Sequence, residues 1–219
     1  MVCGKVCGKF HQFPPGTERR LDGKFVLTPH RIGNSFLLFG AKDSRFPFHC
    51  FVGPEWPCML CTYSLVIIPS IFFLVNVATQ WGNSAVVAIG VLTFLAVLLA
   101  FSATACTEPG IIFVPSLYIP STSIDNAELG ESRGRGNTLE CVICNIERPR
   151  TASHCYECGV CVDQLDHHCP WTGKCIARKN LRAFYLFLTT LMIHITYVIA
   201  IFAASLAQGY EVFPSGEAN

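Results

Sequence analysis

Three long runs without a charged residue, at 59–79, 84–106 and 184–207, constrain this chain more than any other feature. About 20 apolar residues carry a helix across a hydrocarbon core about 30 Å thick, and each run reaches that length. Read as core helices of a soluble protein, three such runs in 219 residues would leave too little chain to cover them. Only 14% of the residues are charged, against about 25% in soluble domains. The runs therefore predict an all-α integral membrane protein with transmembrane helices at 59–80, 84–106 and 184–207. The first two form a hairpin joined by Gln80-Trp81-Gly82-Asn83. Pro69 predicts a kink in the first helix. His194, inside the third, reads as a neutral, hydrogen-bonded histidine.

The remaining chain falls into segments at 1–58, 107–183 and 208–219. Segment 1–58 mixes Gly, Pro and basic residues with β-like runs at 24–27 and 35–39, and reads as loose or as a small β unit. The stretch 121–137 reads as a linker. All 16 Lys and Arg lie in two segments, eight in 1–58 and eight in 107–183. The positive-inside rule then places the N-terminus and the 107–183 loop in the cytosol and the short tail across the membrane. A net charge of +1 excludes a basic nucleic-acid binder and an acidic tail alike, so no nucleic acid is expected as a partner. The lipid bilayer is.

Of 13 cysteines, seven fall between 141 and 175. No apolar signal segment follows Lys5 and Lys9, so the cluster reads as thiol or metal chemistry in a reducing compartment. Its candidate ligands are Cys141, Cys144, His154, Cys155, Cys158, Cys161, His167, His168, Cys169 and Cys175. Structural zinc takes four N/S ligands. Two closed sites would use eight of these ten and leave a cysteine and a histidine, the minimum parts of an activated thiol. Adjacent residues of an extended chain point to opposite sides, so His154 and Cys155 should serve different metals. The same alternation, if 167–169 is extended, sets His167 and Cys169 on one side and His168 on the other. A purely structural RING-like or ribbon-like zinc module remains an alternative on spacing alone. Haem is disfavoured because no Cys-x-x-Cys is followed by His, and an Fe–S cluster would leave the histidines unexplained. No internal repeat is evident.

Asp166-His167-His168-Cys169-Pro170-Trp171, set within this cysteine spacing, resembles the DHHC protein S-acyltransferases, or palmitoyltransferases. The likeness runs over 141–184 and extends to Thr107-Glu108-Pro109-Gly110, which is similar to an Asp-Pro-Gly motif that the family keeps after its second span. The resemblance implies one structural Zn²⁺ on Cys141, Cys144, His154 and Cys161 and another on Cys155, Cys158, His168 and Cys175. It implies Cys169 as nucleophile, His167 as its base and Asp166 as the carboxylate that orients the histidine. The implied reaction transfers a long-chain acyl group, such as palmitoyl, from acyl-CoA through a Cys169 thioester to cytosolic cysteines of membrane-associated substrate proteins, in the endomembrane system or plasma membrane. Arg148, Arg150 and Lys174 are candidates to meet the CoA phosphates. Cys3, Cys7, Cys50, Cys58 and Cys61 are candidate acylation acceptors. The chain departs from the family at Thr151, Lys174 and Ala177, where Arg, Asn or Gln, and Gly are usual. It also ends soon after the third span, where the family continues into a fourth span and a tail with a Thr-Thr-x-Glu motif. A truncated form is therefore expected, with a catalytically silent, zinc-stabilised membrane scaffold as the alternative function.

Overall fold

The computed structural model describes residues 30–40, 47, 50–112 and 138–209. The β-like run at 24–27, the linker at 121–137, Cys3, Cys7 and most of the tail lie outside these residues.

Among the described residues, three helices are long and apolar enough to cross a membrane. They are α1 (Trp56–Asn76), α2 (Ser84–Cys106) and α3 (Leu181–Ala207), with a short 3₁₀ turn (Ala78–Trp81) after α1. Helices α1 and α3 begin earlier than the uncharged runs suggest. Pro57 sits in the first turn of α1, where a missing N–H costs nothing. Arg182 lies in the first turn of α3, where a charge excludes a residue from an apolar run without excluding it from a helix. At the start of α2 the Asn83 side chain accepts from Ala85 N–H at 2.9 Å, supplying one of the bonds a helix start lacks. Pro69 stands inside α1.

Lipid tails are as apolar as these helices, so close packing and interhelical hydrogen bonds decide how they sort. Phe101 of α2 packs between Tyr63 of α1 and Phe187 of α3, at ring-centroid distances of 4.6 and 4.9 Å. Polar pairs add direction. Tyr63 OH meets Ser102 Oγ at 2.8 Å, Tyr197 OH donates to Val86 O at 2.5 Å, and Trp81 Nε1 donates to Ser205 Oγ at 2.7 Å. His194 joins all three helices, with Nε2 2.9 Å from Ser70 Oγ and Nδ1 3.0 Å from Thr93 Oγ1. Both of its nitrogens are thus partnered within the bundle. Leu65, Ile68, Leu92 and Leu99 face outward, as a lipid-facing surface requires.

Beyond the helices lies a polar module of short antiparallel strands. A three-stranded sheet comes from the N-terminal segment, in order β1 (His30–Ile32), β2 (Ser35–Phe39) and β3 (Cys50–Val52). Three hairpins follow α2: β4 (Thr138–Cys141) with β5 (Ile146–Pro149), β6 (Ala152–Cys155) with β7 (Val160–Asp163), and β8 (His167–Cys169) with β9 (Lys174–Ile176). The described part of the N-terminal segment belongs to this module. Ile32, Leu37 and Phe51 share one buried cluster with Val160, Val162 and Cys175. Asn34 N–H donates to Cys158 O at 2.8 Å, and Gly33 before it, at φ +57°, passes so close that a Cβ would sit 2.5 Å from that same carbonyl.

The tail of β3 makes an equally close approach. A Cβ on Gly53 would lie 1.9 Å from Gly173 O, a backbone atom that cannot swing aside. Gly53→Ala is expected to force the N-terminal sheet away from the β8–β9 turn and to destabilise the module by about 1–3 kcal/mol, the usual cost of overpacking. Thermal unfolding of the purified chain measures it. A midpoint equal to wild type would show that the two backbones are not locked together.

Candidate metal centres and thiol site

The hairpins contribute ligands through two local devices. The first is a knuckle, in which Cys-x2-Cys curls so that both sulfurs face inward. In the β4–β5 turn, Asn145 takes the left-handed conformation at φ 53° and its N–H returns to Cys141 O at 2.7 Å. In the β6–β7 turn, Gly159 does so at φ 67° and bonds to Cys155 O at 2.8 Å. The second device is a cross-strand pair. His154 lies opposite Cys161 and His168 opposite Cys175, and residues directly opposite share a face.

One knuckle and one pair make each cluster. Cys141, Cys144, His154 and Cys161 bring their ligand atoms within 4.8 Å of one another, and so do Cys155, Cys158, His168 and Cys175. In the first, His154 Nδ1 stands 3.7 Å from Cys141 Sγ and 3.2 Å from Cys144 Sγ. In the second, His168 Nδ1 stands 3.4 Å from both Cys155 and Cys158 Sγ, and Cys175 Sγ stands 3.4 Å from Cys158 Sγ. Zinc–sulfur bonds of about 2.3 Å place tetrahedral ligands a little under 4 Å apart. The donor chemistry, the count of four and the spacing all suit closed zinc sites. The clusters interleave, since neighbours His154 and Cys155 go to different sets. Every ligand of the second cluster lies 14 residues after its counterpart in the first. That repeat is carried by ligand positions alone, and a search for general self-similarity misses it.

Glu55 adds a group that the sequence reading missed. His168 turns Nδ1 toward the sulfurs and Nε2 toward Glu55 Oε2, at 3.0 Å. A carboxylate on the far nitrogen fixes the tautomer and orientation of a metal-bound histidine. Glu55 precedes α1, 113 residues from His168, so no local spacing signals it.

Strand β8 is extended, and His167, His168 and Cys169 alternate along it. His168 enters the second cluster. His167 Nδ1 lies 2.7 Å from Asp166 Oδ2, which leaves Nε2 free for another partner, and its ring packs edge-on to Phe184 of α3 at 5.5 Å. Cys169 is buried and begins the 3₁₀ turn Pro170–Thr172. Thr62 of α1 donates to Trp171 O at 2.8 Å, which ties this turn to the end of a membrane helix.

The three cations expected near phosphates are placed differently. Arg150 is exposed. Arg148 is half-buried and donates through Nη1 to Ala152 O. Lys174 is fully buried and corrects the expectation: its ammonium donates to Phe51 O at 2.5 Å and to Thr107 O at 2.8 Å, so it has no exposure with which to meet a CoA phosphate. Burial pulls this lysine down to about 8. Charge suggested a surface role, and tertiary packing made the side chain an internal clamp.

Glu108, in the motif after α2, is buried too. Its Oε1 accepts from Gly110 and Ile111 N–H, and its Oε2 accepts from Lys179 Nζ at 2.6 Å. It thereby joins the end of α2 to the residues just before α3.

The DHHC palmitoyltransferase family matches residues 135–214, which include both clusters and the Asp166–Cys169 stretch. The chain belongs to the DHHC family. It is 30% identical over 159 residues to the putative ZDHHC-type palmitoyltransferase 1 of Dictyostelium discoideum, covering 69% of this chain and 37% of that protein. It is 30% identical over 191 residues to the probable protein S-acyltransferase 6 of Arabidopsis thaliana, covering 76% and 44%. It is 50% identical over 87 residues to palmitoyltransferase ZDHHC9 of Pongo abelii, covering 40% and 23%. The chain thus spans less than half the length of these curated relatives.

If Glu55 supports His168, Glu55→Ala should weaken zinc at the second site by about 10–100-fold while leaving the first site intact. Chelator competition with zinc counted per chain resolves the two. Uniform loss from both sites, or from neither, would contradict a local role for Glu55.

Proposed function

We propose that this chain is a protein S-acyltransferase that carries a long-chain acyl group from acyl-CoA to cysteines of membrane-associated proteins through a thioester on Cys169. The observation that carries the reading is the Asp166–His167 pair at 2.7 Å, whose histidine lies on the same short strand as the buried Cys169. Family membership and the names of the relatives support it.

In this reading Asp166 holds His167 through Nδ1, and His167 takes the thiol proton on Nε2. Cys169 Sγ attacks the thioester carbonyl, the carbon–sulfur bond to CoA breaks, and the CoA thiolate leaves. A substrate thiolate then attacks the acyl-enzyme and returns Cys169 as the leaving thiolate. Both steps exchange one thioester for another, so catalysis rests on supplying the thiolate and positioning it. Two Zn²⁺ ions, held by the two clusters, stabilise the hairpins that present Asp166, His167 and Cys169. Arg150, and Arg148 through Nη2, face the CoA phosphates. The module and N-terminus lie in the cytosol, as the distribution of Lys and Arg favours, and the membrane is one of the endomembrane system or the plasma membrane, as the family resemblance implies.

Expression of the full chain with an alkyne palmitate probe tests this. Hydroxylamine-sensitive labelling should appear in wild type and vanish in Cys169→Ala, with the external cysteines removed from both. Zinc-loaded, membrane-inserted wild type that takes no label would favour the scaffold reading. The division of roles has its own check: Cys169→Ser should retain two zinc ions per chain, whereas Cys141→Ser or Cys155→Ser should lose metal and unfold the module. Equal zinc loss in all three would sink that division.

A further inference from the structure

Two thiols outside both clusters meet where the N-terminal sheet reaches the end of α2. Cys50 begins β3 and Cys106 ends α2. Their Sγ atoms lie 2.8 Å apart, and both cysteines are free. A disulfide bond is about 2.05 Å long, so the sulfurs have less than about 1 Å to travel. The residue following each cysteine is held by one ammonium: Lys174 Nζ donates to Phe51 O and to Thr107 O. This clamp fixes the backbone on both sides of the sulfur pair and keeps the thiols face to face. Cys50 is buried and Cys106 only half-buried, so a small oxidant reaches Cys106 first.

We propose that Cys50 and Cys106 form a redox-active dithiol, a modification site that a peroxide closes to an intramolecular disulfide, stapling the N-terminal sheet to the end of α2. Cys106 Sγ, as thiolate, attacks one oxygen of hydrogen peroxide. The O–O bond breaks, hydroxide departs, and a sulfenic acid remains on Cys106. Cys50 Sγ then attacks that sulfur, the S–O bond breaks, and the Cys50 proton leaves with the departing hydroxide as water. The thiol pair has lost two electrons and the peroxide has gained them. A dithiol reductant reverses the closure by thiol–disulfide exchange. Cys169 and the zinc ligands take no part, so the inference stands apart from acyl transfer. The staple joins the strand that leads to Glu55 and His168 with the helix that leads to Glu108 and Lys179. Both supports of the β8–β9 hairpin are thereby tied together.

The full chain, zinc-loaded in detergent or nanodiscs, is treated with hydrogen peroxide at equal molarity, alkylated, and digested without reductant. The expected product is a cross-linked pair of peptides containing Cys50 and Cys106, lighter by two hydrogens than the free pair. It should be lost after dithiothreitol, with zinc content unchanged. Cys106→Ser should abolish it and Cys61→Ser should leave its yield unchanged. Because a serine variant can fail to fold, wild-type mapping decides by itself. Alkylation of both thiols at peroxide doses that already release zinc would overturn the proposal, as would pairing of either cysteine elsewhere.

Discussion

Side-chain alternation along three residues of β8 is the constraint on which the site depends. An extended strand cannot send neighbouring side chains to one face. With His168 drawn into the second cluster, His167 and Cys169 must point away from it together. The cluster therefore does two things at once: it holds a hairpin too small to carry a core of its own, and it sets which side of the strand presents the thiol. Opposite His168 stands Cys175, in register on β9, so the two strands cannot slip without pulling a ligand out of the set.

A hairpin fixed within the module must also be fixed relative to the membrane helices, and that is done by polar groups removed from solvent. Glu108 ties the end of α2 to Lys179. Asn180, fully buried, spends its side chain on Ala177 N–H and Cys175 O, so the start of α3 is bonded directly to the strand bearing a cluster ligand. Glu55 and Thr62 bind His168 and the Trp171 carbonyl from the start of α1. Each helix thus reaches the Cys169 hairpin at its module end. A buried polar group left unpaired is costly, which makes these links specific to one docking geometry.

How much of this was legible depended on whether the signal was local. The three helices were, because length and absence of charge suffice; α2 begins where expected, while α1 and α3 begin three residues earlier, α3 because Arg182 interrupts an apolar run without interrupting a helix. The membership of both clusters followed from spacing and family resemblance, and alternation along 154–155 and 167–169 agrees with the strands found there. Lys174 and Glu55 were not legible. Their partners, Phe51 and His168, lie 123 and 113 residues away, and nothing in the neighbourhood of either residue announces them. The N-terminal segment was blurred for a related reason. Its strands are only three to five residues long and owe their order to apolar side chains packed against the hairpins, not to propensity of their own.

Thiols of one chemical type stand here in different surroundings. Those of the clusters face a histidine nitrogen and other sulfurs, an environment that favours metal ligation and withdraws their lone pairs from other chemistry. Cys169 lies on the strand where a cluster histidine turns its neighbours to the other face, two residues after a histidine held by a carboxylate. Cys50 and Cys106 face each other across an element boundary with a buried ammonium bonded to the residue after each. The covalent group is the same throughout. What differs is the nearest polar atom, and the fold sets that atom by register, alternation and a few buried clamps. Lys174, fully buried and bonded to Phe51 O and Thr107 O, is one of those clamps.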